Sequence, residues 1–199
     1  MNRHHLAALP AALACALLLG ACASDEDAPA AAASDSSSEV SDDLDAAYAG
    51  AELGADIRSQ FSSCDDVEPA VAPYIDGLVA NASNGVDEYS VHCLWETADT
   101  VTSLSEIRSV QVMIEPNSGE VLDAATIEAV GLEVVPDSTI EAAGGSAHTM
   151  SQEIAVAAAT VTSVELPEVK VTISGGRWDN YPSLDADASV AVAKQLLGL

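Results

Sequence analysis

The sequence predicts an α+β domain: an antiparallel sheet with helices packed on one face. Three observations carry this. Three segments alternate apolar and polar side chains with a period of two, in 89–97, 110–114 and 169–173. Helical patterns precede, separate and follow them, near 67–78, 121–130 and 185–197. Tight turns join the strand-like pieces in pairs, so the strands run antiparallel and the helices collect on the sheet.

The elements follow in order. Leu53, Ile57 and Phe61 form a short helical pattern limited by Gly50 and Gly54, and the domain is expected to begin near residue 53. After Cys64, the residues Val67, Val71, Tyr74, Ile75 and Leu78 make one apolar stripe. Pro69 suits the first turn, whereas Pro73 must kink or restart that helix. The stretch 81–85 (NASNG) is expected to end it in a turn. Tyr89, Val91, Cys93 and Trp95 then face one side of a strand, with Ser90, His92 and Glu96 on the other. Val110, Val112 and Ile114 repeat the pattern, and 116–119 (PNSG) turns the chain out.

Residues 121–130 read as a helix stopped by Gly131. The span 132–150 reads as turn-rich, with short extended pieces. Residues 153–165 compete between helix, for the Ala run, and strand; Thr160, Val161, Thr162 and Val164 favour strand. Pro167-Glu168 turns into Val169, Val171 and Ile173, closing a hairpin. After Gly175-Gly176 a loop of sequence RWDNYPSL leads to a last helix, started by Asp185 and Asp187 and stopped at Gly198. Val190, Ala193 and Leu197 are its expected buried face. No repeat of 20–50 residues occurs.

Residues before this domain carry an address. Arg3, His4 and His5 precede an apolar run from Leu6 to Leu19, broken only by Pro10. That is the length of a signal-peptide core and too short to span the ~30 Å hydrocarbon layer. It ends in Leu19-Gly20-Ala21-Cys22, which resembles the lipobox of bacterial lipoproteins. The resemblance implies cleavage before Cys22 and acylation of its thiol, and two or three chains anchor stably where one does not. Residues 1–21 are thus expected to be a cleaved signal peptide and 22–52 a tether, with the domain over 53–199. The stretch 23–43 contains Ala, Ser and acids with almost no large apolar side chains, so it cannot offset its ordering entropy. As a coil it spans roughly 25 Å. The expected place is the outer face of the cytoplasmic membrane, with the bilayer engaged through Cys22.

Charge excludes several functions. The chain has 6 Lys and Arg against 32 Asp and Glu. Cleavage would remove Arg3 and no acid. Nucleic acid needs clustered cations, and anionic headgroups repel such a surface, so neither is an expected partner. Basic partners and diffuse cation uptake remain open.

Of four cysteines, Cys15 lies in the expected signal peptide and Cys22 is the one the lipobox resemblance assigns to the lipid. Cys64 and Cys93 remain, in a compartment where disulfides persist, and a structural bridge between them is expected. No C-x-x-C occurs, which argues against a redox role.

A wider resemblance rests on this order: a leash, Cys64 before a helix, Cys93-Leu-Trp95 on a strand, a β-rich middle and a closing helix. It is similar to uncharacterised lipoproteins of the actinobacterial cell envelope, and to the related extracytoplasmic sensor domains of some bacterial serine/threonine kinases. The chain departs from those sensor domains in having one disulfide where they carry more. The resemblance implies a fold and a place, and no reaction.

Chemical motifs are absent. No nucleophile elbow, penicillin-binding signature, P-loop or dinucleotide fingerprint occurs. His92 and His148 are the histidines outside the signal segment; with carboxylates they would serve a metal-dependent or acid/base enzyme only if the fold joined them. Asp185-Ala-Asp187-Ala-Ser189 begins like a calcium loop, but Val190 and Leu196 stand where that loop needs Gly and Glu. No cofactor or metal is expected. Arg177, Trp178 and Tyr181 combine interface-type residues in one stretch and are the candidate binding loop. The leading expectation is a tethered binding or accessory module for an envelope protein, a wall polymer or a small ligand, with an enzyme as the alternative.

Overall fold

The computed structural model describes residues 51–103, 105–117, 120–154 and 157–199. They form a mixed helix and strand structure around an eight-stranded antiparallel sheet. Helices α1 (Ala55–Arg58) and α2 (Glu68–Ile75) come first, with the 3-10 turn Cys64–Asp66 between them. The strands β1 (Val79–Ala80), β2 (Gly85–Val86), β3 (Val91–Glu96) and β4 (Ser109–Pro116) follow. Helix α3 (Ala124–Ala129), β5 (Glu133–Val134) and α4 (Ser138–Ala142) lead to β6 (Ser146–Ile154), β7 (Ala157–Glu165) and β8 (Val169–Trp178). Helix α5 (Ala186–Leu197) closes the chain.

The hydrogen-bonded order is β1-β3-β4-β8-β7-β6-β5, and β2 shares with β1 the same side of β3. From β4 the chain crosses to the far edge through α3, β5 and α4. It then meanders back, so the last strand lies in the middle, against β4. Register sets one inward row as Val91, Ile114, Val171, Val164 and Ala147, and the next as Cys93, Val112, Ile173, Thr162 and Thr149. These rows pack against Val67 at the N-cap of α2, Val71 within it, Ile140 of α4, and Val190, Ala193 and Leu196 of α5 in one core. Leu53 and Phe61 join it.

Helix ends obey local chemistry. Asp123, Asp137 and Asp185 cap α3, α4 and α5 by accepting backbone amides. Gly131 ends α3 at φ 82, with its own amide on the Glu128 carbonyl and that of Leu132 on the Ile127 carbonyl.

Several expectations are corrected. Helix α2 stops at Ile75, two residues after Pro73, and β1 occupies 79–80 before the 81–85 turn. Tyr89 precedes β3 and is exposed. The span 132–150 contains α4 and the start of a full strand, β6. The 153–165 segment divides between β6 and β7, strand throughout its described residues. Strand β8 continues to Trp178, so Arg177 and Trp178 lie on a strand and only Tyr181 lies in the loop after it. Gly175 is required on steric grounds, because a Cβ there would meet the Leu184 side chain at 2.6 Å. Its absence lets Leu184 fold back onto β8, where it is 1% exposed.

Candidate functional site

Cys22, the expected signal peptide 1–21 and most of the expected tether 22–52 lie outside the described residues. Cys64 and Cys93 are bridged, with Cα atoms 5.7 Å apart. Ser63 and Asp66 form a capping box that sets the turn carrying Cys64. The Asp66 carboxylate accepts the Ser62 amide (2.7 Å), the Ser62 hydroxyl (2.8 Å) and the Ser63 amide (3.3 Å). The Ser62 amide, chief among these, holds its pKa below the usual carboxylate value. On the other side, alternation along β3 turns Cys93 inward between Val91 and Trp95.

Arg177 and Trp178 are consecutive residues at the end of β8, and Tyr181 lies three residues beyond it. Successive residues of β8 point to opposite faces, so Arg177 is on the helix-bearing side and Trp178 on the other. Arg177 reaches over Ala158 to Glu153, Nη2 to Oε1 at 3.1 Å, because Ala158 stands between them in register. Tyr181 is turned back onto the domain: the Arg108 guanidinium lies 3.6 Å from its ring centroid. Arg108 is itself buried and donates from Nη1 to the Tyr74 carbonyl at 3.0 Å and from Nη2 to the Asp76 carbonyl. A guanidinium thus satisfies carbonyls where α2 ends, which its shortened C-terminus leaves without amide partners.

His92 and His148 stand in one outward row of the sheet, His92, Met113, Thr172, Ser163, His148. Four strand spacings of ~4.8 Å separate them by roughly 19 Å, so no single ion contacts both. His92 is half-buried, with Nε2 2.8 Å from Gln111 Nε2. His148 is buried, and its Nδ1 has no hydrogen-bond partner among the described residues. Burial pushes its pKa down; Glu165 pulls it up and Lys170 adds to the depression. Glu165 is also buried, and its Oε2 accepts the Leu122 amide at 3.2 Å, where the segment entering α3 crosses the outward face. Glu165 and Lys170 are cross-strand neighbours, and Lys170 pairs instead with Glu115 at 3.4 Å. No hydrogen bond joins Ser146, His148 and Glu165 in the described structure, although all three face the same side. Among the described residues no group of three or more His, Cys, Asp or Glu side chains could hold a metal ion.

Sequence reasoning missed two concavities. One, of about 370 Å³, lies between α3, β5, α4 and the start of β6; Val121, Leu122, Ile127, Val135 and Ile140 form its walls. Asp137 at its border is held by Lys194 Nζ at 2.7 Å, and that contact lowers the Asp137 pKa. The other, of about 310 Å³, is shallow and runs beside β6, with Thr149 and Ser151 on one side and Asp185 and Asp187 on the other. The signal for both was β6. Its inward positions are Ala147, Thr149 and Ser151, too small and polar to register as a strand pattern. Asp185 and Asp187 belong to the helix start, as their sequence position implies, and Ser189 is buried inside α5.

Comparison with protein-family models, with curated proteins and with solved structures finds no match to this chain. No described helix is long and apolar enough to cross a membrane.

Proposed function

We propose that the chain is a bacterial cell-envelope lipoprotein, held on the outer face of the cytoplasmic membrane through Cys22, that binds a partner and catalyses no reaction. The address rests on the apolar run 6–19 followed by Leu19-Gly20-Ala21-Cys22. The binding half rests chiefly on the placement of His92 and His148. They lie four strands apart, and the nearest group to a catalytic set, Ser146 with His148 and Glu165, lacks the hydrogen bonds that activate a nucleophile. A small disulfide-pinned domain behind a ~30-residue leash suits a module that must reach a partner at some distance from the lipid.

Intact-mass measurement of protein extracted from native membranes tests the address. The expected mass lacks residues 1–21 and gains acyl chains, and Cys22→Ser should remain unprocessed. Unacylated wild-type protein in the soluble fraction would overturn it.

A further inference from the structure

Strand β6 has nine residues, yet β5 pairs with it only at Thr149 and His148. The Val135 amide adds a bond to the Ala147 carbonyl at 2.9 Å. That bond fixes the phase of the strand. In an antiparallel pairing a residue's N–H and C=O point to the same side and alternate along the chain. Ala147, Thr149, Ser151 and Glu153 therefore direct their backbone groups away from β7. Ala147 and Thr149 meet β5. Ser151 and Glu153 have no strand opposite them among the described residues, whereas β7 is paired on both sides along its length. Residues 150–154 thus present an open edge of roughly 17 Å, long enough for a five-residue addition.

The surroundings of this edge are acidic. The shallow 310 Å³ concavity beside it holds Glu133, Asp185 and Asp187, all exposed, and Glu153 stands on the strand itself with 78% of its side chain exposed. Arg177 is the cation paired there. Two copies of a chain with net charge −26 that met along this edge would bring these carboxylates against each other. The same acids attract a segment of opposite charge. Its backbone would continue the sheet, and alternate side chains would reach the concavity at the start of α5.

We propose that the open edge of β6 is a strand-addition site for an extended Lys- or Arg-rich segment of another envelope protein. This rests on reading the chain as a binding module, and it names the surface and the chemistry of the partner. The probe is a synthetic nine-residue peptide alternating Lys and Val, titrated against the full-length protein. Two controls accompany it, one with alternate backbone amides methylated and one with Glu in place of Lys. The expected result is saturable binding that weakens with added salt and slows hydrogen exchange in 150–154. Each control peptide should bind at least tenfold more weakly. Ser151→Pro removes an edge amide that bonds nothing within the sheet, and should weaken binding tenfold or more with little change in melting temperature. Asp187→Lys, which leaves the strand intact, should weaken it several-fold and decides the matter if the proline variant does not fold. Equal binding of the methylated peptide would mean diffuse charge attraction alone and would overturn the proposal. So would exchange protection elsewhere, or no binding of the Lys peptide. A membrane-extracted protein with acylated Cys22 that fails these titrations would leave the tethered-binder reading standing and remove only this site.

Discussion

The two arginines near the end of β8 sit in opposite circumstances. Arg108 is 6% exposed, gives two hydrogen bonds to the carbonyls of Tyr74 and Asp76, and stacks on Tyr181. Arg177 reaches Glu153 across solvent, with two thirds of its side chain exposed. Arg108→Met should therefore cost roughly 3 kcal/mol in denaturant unfolding, since it strips charged donors from buried carbonyls. Arg177→Ala should change stability by less than about 0.5 kcal/mol, as exposed pairs do. Equal losses would refute the placement of Arg108. His148 supplies a pH test. Its folded pKa lies below its ordinary value of 6.5 because burial disfavours the imidazolium. A group depressed in this way contributes stability that is present above pH 6.5 and lost as pH falls through the folded value. The unfolded chain takes the proton first. Glu165 and Lys170 face His148 and act with opposite sign, so their charges must be kept in the comparison. Wild type should lose stability as pH falls below 6.5, and His148→Leu should flatten that slope. Asp66, Asp87, Asp123 and Asp137, all lowered from 3.8 chiefly by hydrogen bonding, should matter only at more acid pH.

Among the elements, β3, β4 and β8 were legible because large apolar residues alternate along them with more polar ones, whereas β7 showed only as the β-branched end of an Ala-rich run. Strand β6 was illegible for the opposite reason: with Ala147, Thr149 and Ser151 inward, its strand state comes from pairing with β7 over nine residues rather than from its own pattern. Helix α4 is five residues long, too short for a period to show, and its Asp137 cap and Gly144 stop are what hold it. The Cys64–Cys93 bridge ties the turn before α2 to the middle of β3. It closes a loop of about 29 residues, and on the chain-entropy account replacing both cysteines by alanine should cost about 3 kcal/mol. Chemical denaturation of the double variant would measure this. Two free thiols in the folded native protein, found by alkylation, would contradict the pairing.

At the scale of the molecule, charge dominates. With 32 acids against 6 bases, self-repulsion opposes the compact state, and salt screens exposed charges over about 10 Å at 0.1 M. The melting temperature should rise between low salt and 0.5 M NaCl, in contrast with a protein held together by surface ion pairs. A fall over that range would show that attractive pairs such as Lys194–Asp137 outweigh the repulsion. Local matters were already written in the chain: the period of the main strands, the acidic start of the last helix, the glycine stops at Gly131 and Gly198, the Cys64–Cys93 pair, and the acidity of the whole. Each resides within a few residues or in bulk composition. Which strands are neighbours emerged only on folding, and with that the candidate sites. Returning β8 to the middle of the sheet placed three strands between His92 and His148, although both histidines face outward. Arg108 was unremarkable until α2 ended early and left carbonyls for it to satisfy. The edge of β6 that β5 leaves uncovered among the described residues follows from β5 being two residues long and its partner nine, a mismatch that no side-chain pattern encodes and that only backbone pairing reveals.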